Sequence, residues 1–196
     1  MKALIVIDVQ NDFLPGGSLA VPKGDEVIPI INELIPAYSL VVATQDWHPA
    51  NHQSFASQHP DQQEFDAILL NGTEQVLWPD HCVQGTFGAE FAPSLKLNSI
   101  SAIFRKGMNK SIDSYSGFYD NQKSQNTGLT GYLKDRGITE VHLCGLAADF
   151  CVYYSALDSL NEGFGTAIVS KATRAIDKSE FMEKKNNFIQ LGGKLI

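Results

Sequence analysis

Three side chains spread along this chain could together cut a carbonyl compound. Cys151 closes the run Gly145-Leu146-Ala147-Ala148-Asp149-Phe150-Cys151 and stands at the start of an expected helix. Orphan backbone N–H groups and the helix dipole at such a start favour a thiolate. A nucleophilic thiol also needs a proton acceptor, and Asp8 offers one. Lys106 supplies a positive charge that would hold thiolate and carboxylate in one pocket. The turn before Cys151 could present N–H groups to an oxyanion. Taken singly, each residue has a plainer explanation. Cys151 could be a small core hydrophobe, Asp8 a turn or cap carboxylate, and Lys106 a solvated surface charge.

A second group has the chemistry of a metal site. Asp46-Trp47-His48 puts a carboxylate and an imidazole two residues apart, on the same side of an extended chain. His81, in Trp78-Pro79-Asp80-His81-Cys82, could close a third position. Mixed Asp and His ligation suits zinc, iron or manganese and leaves positions open for water or substrate. Scattered His and Asp are also common surface residues. His52 and His59 are read as loop residues, and Ser54 as a weaker candidate for touching a metal-bound water.

These residues need elements to bring them together. Met1 to Ile7 is a short apolar run followed by polar Asp8-Val9-Gln10-Asn11-Asp12, as expected of a strand buried on both faces. Similar runs recur at Leu40 to Thr44, Ala102 to Phe104, Val141 to Cys144 and Thr166 to Ser170. Helix-compatible segments lie between them: Asp25 to Tyr38, Thr127 to Arg136, Phe150 to Glu162 and Lys178 to Leu191. Gly137, Gly163 and Gly192 follow the last three as candidate caps. The alternation predicts a three-layer α/β/α fold with a mainly parallel sheet, as one domain over residues 1–196. His48 to Ser99 reads as long and loop-rich, which in a compact domain usually serves function. Ligands of open parallel sheets bind beyond the carboxyl ends of the strands. Asp8, Asp46, Lys106 and the Gly145–Cys151 loop each follow an expected strand, so they should converge.

Composition bounds the partners. With 43% hydrophobic and 19% charged residues the chain reads as globular, and its net charge of -7 argues against nucleic acid or an anionic membrane. No stretch approaches the length of a membrane span, and the apolar N-terminus is too short for a signal peptide. Cys82, Cys144 and Cys151 are odd in number and lack CxxC spacing, which speaks against a disulfide framework. The expected setting is cytoplasmic, with a small-molecule substrate, no nucleic acid and no membrane. A homo-oligomer is left open.

Five ordered motifs then carry a resemblance. They are Asp8-Val9-Gln10-Asn11-Asp12-Phe13, Asp46-Trp47-His48-Pro49-Ala50-Asn51-His52, Trp78-Pro79-Asp80-His81-Cys82, Phe104-Arg105-Lys106-Gly107 and Gly145-Leu146-Ala147-Ala148-Asp149-Phe150-Cys151-Val152. In this order, from the first strand to about Ala175, they resemble the nicotinamidases of the isochorismatase-like cysteine hydrolase superfamily. The resemblance implies a triad of Asp8, Lys106 and Cys151, and one divalent metal, zinc first, on Asp46, His48 and His81. The metal would take the pyridine nitrogen of nicotinamide. It further implies a cis Leu146–Ala147 bond, an oxyanion held by the Ala147 and Cys151 N–H groups, and aromatic walls at Phe13, Trp78 and Tyr115. The implied activity is deamidation of nicotinamide through a Cys thioester, in NAD salvage, with pyrazinamide as a second substrate. Two positions depart from the pattern: Phe150 stands where Tyr is common, and Lys171 where Asp is expected, close to the Cys151 helix. The alternatives are a cysteine hydrolase of carbamoyl or ureido groups, which would need no metal, a non-catalytic small-molecule binder, and a metal hydrolase in which Cys151 is structural.

Overall fold

Every position of the first strand after Lys2 is apolar and buried. A strand with no polar face must be covered on both sides, so it belongs inside a sheet rather than at its edge. The computed structural model describes residues 1–196. In chain order it runs β1 (Lys2–Ile7), α1 (Val27–Leu34), β2 (Leu40–Asp46), β3 (Ala67–Leu70), β4 (Thr73–Val76), β5 (Ala102–Lys106), α2 (Leu129–Asp135), β6 (Glu140–Leu146), α3 (Tyr153–Asn161), β7 (Gly165–Arg174), α4 (Lys178–Gln190) and β8 (Lys194–Leu195). Six strands form one sheet in the order β5-β2-β1-β6-β7-β8, with β1 inside it. All its pairings are parallel. No helix is long and apolar enough to cross a membrane.

Strand alternation divides the core into two layers. Leu4, Val6, Val41, Ala43, Cys144 and Leu146 pack with Val27, Ile28 and Ile31 of α1. Ala3, Ile5, Ile7, Val42, Val141 and Leu143 pack on the other face with Leu129 and Leu133 of α2, Ala156 of α3 and Phe188 of α4. This is the expected three-layer α/β/α arrangement.

Three elements differ from the sequence reading. The expected helix from Asp25 to Tyr38 is α-helical only over Val27–Leu34, with 3-10 turns at Gly24–Glu26 and Ile35–Ala37. Pro36 has no N–H to continue the ladder. The expected helix from Phe150 starts as a wide π-helical turn over Ala148–Val152, and regular helix begins at Tyr153. The loop-rich stretch from His48 to Ser99 contains the hairpin β3–β4. Asn71 and Gly72 turn it, both with positive φ, at 51° and 81°. That is the backbone a two-residue hairpin turn of this type requires.

Candidate active site

Asp8 directly follows β1, Asp46 ends β2, Lys106 ends β5, and Ala147 to Cys151 follow β6. These four strands are adjacent and parallel, so their carboxyl ends lie on one edge, and Asp46 sits in register with Lys106. Asp8 leaves its strand at φ 45°, a left-handed conformation disfavoured for a residue with a Cβ. The turn aims its carboxylate across the strand ends. Lys106 Nζ lies 2.9 Å from Asp8 Oδ2 and 2.9 Å from Asp46 Oδ1. It also lies 3.5 Å from Cys151 Sγ and donates to the Ser114 carbonyl at 3.0 Å. Thus one ammonium serves two carboxylates and the thiol.

Burial governs the protonation states here. It raises the Asp8 pKa, and Lys106 opposes it only in part. Burial likewise holds the Cys151 thiol well above the usual range, against Lys106 and with Asp8 and Asp46 adding to the rise. Burial would lower Lys106, but Asp46 and Asp8 outweigh it and keep the amine charged. Burial thus opposes the thiolate that the helix start was expected to favour, and a neighbouring base would ease its formation. The Leu146–Ala147 bond is cis, as the resemblance implied. The Ala147 N–H donates to no other group of the chain.

Asp46, His48 and His81 are buried, and their ligand atoms lie within 4.8 Å of one another. His48 Nε2 is 3.2 Å from Asp46 Oδ1, and His81 Nε2 is 3.6 Å from Asp46 Oδ2. Each imidazole spends its other nitrogen on a carbonyl: His48 Nδ1 on Gly107 at 2.9 Å, His81 Nδ1 on Pro79 at 2.8 Å. This assigns Nδ1 as the donor and turns both Nε2 atoms toward the carboxylate, the outer-shell arrangement of metal-binding histidines. Asp46 Oδ1 is buried without a directed hydrogen bond. Burial opposes its charge, yet His48 and Lys106 hold the carboxyl well below the usual range. The three residues fit a divalent cation. Gly107 is part of that fit: a Cβ there would collide with the His48 ring.

Phe13, Leu19, Trp78, Tyr115, Phe150 and Ile176 wall a pocket with Asp46, His81, Ala147 and Cys151 in its lining. All three expected aromatic residues are thus present, and the Tyr115 hydroxyl accepts from Gln75 Nε2 at 3.0 Å. Trp78, Tyr115, Phe150 and Ile176 also line an outer cavity of about 610 Å³, so they partition the pocket from its approach. Phe150, the departure from the family's Tyr, meets Trp78 edge-on at 4.8 Å.

Several functional neighbours escaped the sequence reading. Gln10 Nε2 donates to the Asp46 carbonyl and Gln10 Oε1 accepts the Asp46 N–H, both at 2.8 Å, which clamps that residue's backbone. Asp149 accepts from the Ile176 and Asp177 N–H groups at 3.0 and 2.7 Å, tying one pocket wall to the Cys151 turn. His52 lies in a loop, as expected, but does not face solvent. It is fully buried, its ring centre lies 4.4 Å from that of His48, and its Nε2 has no partner. Burial, with the His48 charge adding, depresses its pKa to about 4. Ser54 Oγ lies 2.7 Å from His52 Nδ1 and so serves that ring. His59 Nε2 bonds the Gln53 carbonyl at 2.8 Å. Lys171 is exposed on β7, where the pairing with β6 shifts register.

Known proteins resemble this chain in sequence and fold. The nicotinamidase of Acinetobacter baylyi is 51% identical over 175 residues, covering 89% of this chain and 82% of that protein. The solved nicotinamidase/pyrazinamidase of Acinetobacter baumanii superposes with a TM-score of 0.97 at 48% identity, covering all of this chain and 95% of that one. The pyrazinamidase of Pyrococcus horikoshii, solved in complex with zinc, gives 0.82 at 36% identity over all of this chain and 98% of that one. The isochorismatase-domain profile spans residues 2–196, every residue of the site included, and the chain belongs to that family.

Proposed function

We infer that this chain hydrolyses nicotinamide to nicotinic acid and ammonia, takes pyrazinamide by the same route, and so serves NAD salvage. One observation carries the reading: the Cys151 thiol and two members of the cation-ligand trio, Asp46 and His81, line a single aromatic pocket. That combination suits an aromatic amide with a second donor atom on its ring. A carbamoyl- or ureido-cleaving enzyme would use the thiol, carboxylate and amine but needs no ring anchor. The names of the Acinetobacter relatives point the same way. We read residues 1–196 as one domain, and three unpaired cysteines in an acidic chain favour a cytoplasmic setting.

A divalent cation, zinc by analogy with the Pyrococcus relative, with iron or manganese suited to the same donors, would be held by Asp46, His48 and His81 and would offer a Lewis-acid position to the pyridine nitrogen. Phe13, Trp78 and Tyr115 flank the ring and exclude water. Asp8 takes the thiol proton as Cys151 Sγ attacks the amide carbon. The oxyanion rests on the N–H groups of Ala147 and Cys151. As the C–N bond breaks, Asp8 returns its proton to the leaving nitrogen and ammonia departs. Water then attacks the thioester, Asp8 takes a proton from it, and that proton passes to the departing sulfur. Lys106 stays protonated and balances the charge that moves between Asp8 and Cys151.

The test is ammonia release from nicotinamide by the purified protein, before and after chelator treatment. Release that falls on chelation, returns with metal and vanishes in Cys151→Ala supports the reading. No release from metal-loaded protein would transfer it to a carbamoyl or ureido substrate.

A further inference from the structure

Asp8 is held from two sides, and only one of them is Lys106. The other is Thr44 of β2, fully buried and outside every motif described above. Its hydroxyl donates to Asp8 Oδ1 at 2.6 Å. The same oxygen accepts the Asp8 N–H at 3.3 Å. One hydroxyl thus meets both the carboxylate and the main chain of a residue in left-handed backbone. With Oδ1 on Thr44, Oδ2 is left toward Lys106, whose Nζ also lies 3.5 Å from the Cys151 thiol, and it has no directed hydrogen bond of its own.

The hydroxyl's direction is set by its methyl group. Threonine is stiff about χ1, because two heavy atoms crowd its Cβ. The Thr44 methyl abuts Gly117, where an added Cβ would lie 2.5 Å from it. Gly117 is pinned in turn: its N–H donates to Ser155 Oγ of α3 at 2.8 Å, and its carbonyl accepts from Thr127 Oγ1 at 2.7 Å. Turning Thr44 about χ1 would carry its methyl out of this slot. The fold therefore determines where the Thr44 hydroxyl oxygen sits.

We propose that Thr44 is a positioning residue for the reaction, which presents Asp8 Oδ2 to the Cys151 thiol by binding Oδ1 and the Asp8 N–H. Thr44 acts through Asp8 and touches neither substrate nor metal. The role rests on the reading of Asp8 as the base.

Thr44→Val keeps the shape and the methyl contact but removes the hydroxyl. A hydrogen bond to a charged group carries enough free energy that kcat should fall about 10- to 100-fold, with KM for nicotinamide within about twofold of wild type. Alkylation of Cys151 by iodoacetamide should slow by a similar factor, and bound metal per chain should stay at the wild-type level. Thr44→Ser against Thr44→Ala repeats the comparison without the methyl and decides the matter if the valine variant does not fold: the serine enzyme should retain most of kcat and the alanine enzyme should not. Unchanged kcat and alkylation in folded Thr44→Val, equal serine and alanine variants, or a loss that tracks lost metal would each overturn the proposal. Wild type that alkylates readily but releases no ammonia from nicotinamide would instead count against the substrate reading.

Discussion

The same sheet carries a dense polar cluster at each end, and the two behave differently. At the amino end, Lys2 of β1 and Glu140 of β6 are register partners with an ion pair at 3.1 Å. Glu140 also meets His142 Nε2 at 2.9 Å, and His142 Nδ1 meets the Tyr38 hydroxyl at 2.7 Å. That end holds an amine, a carboxylate, an imidazole and a phenol, kinds of titratable group that also gather at the carboxyl end. The difference is water. The Lys2 and Glu140 side chains are 57% and 36% exposed, whereas those of Lys106 and Asp8 are both 0% exposed. Hydrogen bonds from His142 and Lys2 lower the Glu140 pKa and keep it a settled anion. Burial raises Asp8 and equips it to accept a proton. Residue type alone does not separate a reactive cluster from an inert one; desolvation does.

The sharpest way to break this comparison is to remove one lysine from each end. Lys106→Met leaves Asp8 and Asp46 buried without their cation. Stranding a buried charge in this way typically costs about 3–5 kcal/mol, and nicotinamide turnover should be lost as well. Lys2→Met, at the solvated end, should stay within about 0.5 kcal/mol of wild type and keep full activity. Urea unfolding of both variants measures the contrast. Equal stabilities would mean that burial does not distinguish the two clusters.

How much of this was legible in the sequence follows the same line. Strand order along the chain and the residues after each strand were readable, because apolar runs and their polar ends are local signals. The convergence of Asp8, Asp46, Lys106 and Cys151 followed from the parallel topology. The β3–β4 hairpin had a local signal too, in Asn71-Gly72, within a stretch read as loop. What no local pattern carries is the outer layer of contacts. Gln10, Thr44 and Asp149 act through partners 27 to 36 positions away. The direction of the Cys151 shift was also out of reach, since dipole and burial oppose each other and only packing decides which wins.

A middle-sized effect concerns pH. Asp8 must be ionised to take the thiol proton, so protonating it removes activity. Its pKa is raised by burial, so kcat/KM should fall on acidification with a midpoint above the usual aspartate value of about 3.9. Lys106 is raised well above its own usual range and so should contribute no loss near neutrality on the alkaline side. A pH–rate profile checks both limbs. An acid limb at the ordinary aspartate value would mean that Asp8 is less desolvated than its packing implies.

The smallest effect belongs to Glu140→Gln. Glu140 has a lowered pKa, so its ion pairs favour the folded state above the pH at which the unfolded chain's glutamates ionise, about 4.3. That contribution disappears as pH falls through the depressed folded value. With 36% of the side chain exposed, solvent screens the pair, and the loss near neutrality should stay under about 1 kcal/mol. Added salt should shrink it further, because exposed charges a few ångströms apart are the ones mobile ions reach. The acid limb of kcat/KM should not move, since Glu140 lies at the opposite end of the strands from the thiol. Chemical denaturation of both proteins at neutral and acidic pH, with and without salt, separates these terms. A loss that is large, insensitive to salt, or accompanied by a shifted activity limb would show that the two ends of the sheet are coupled, and that exposure alone is not what keeps the amino-end cluster inert.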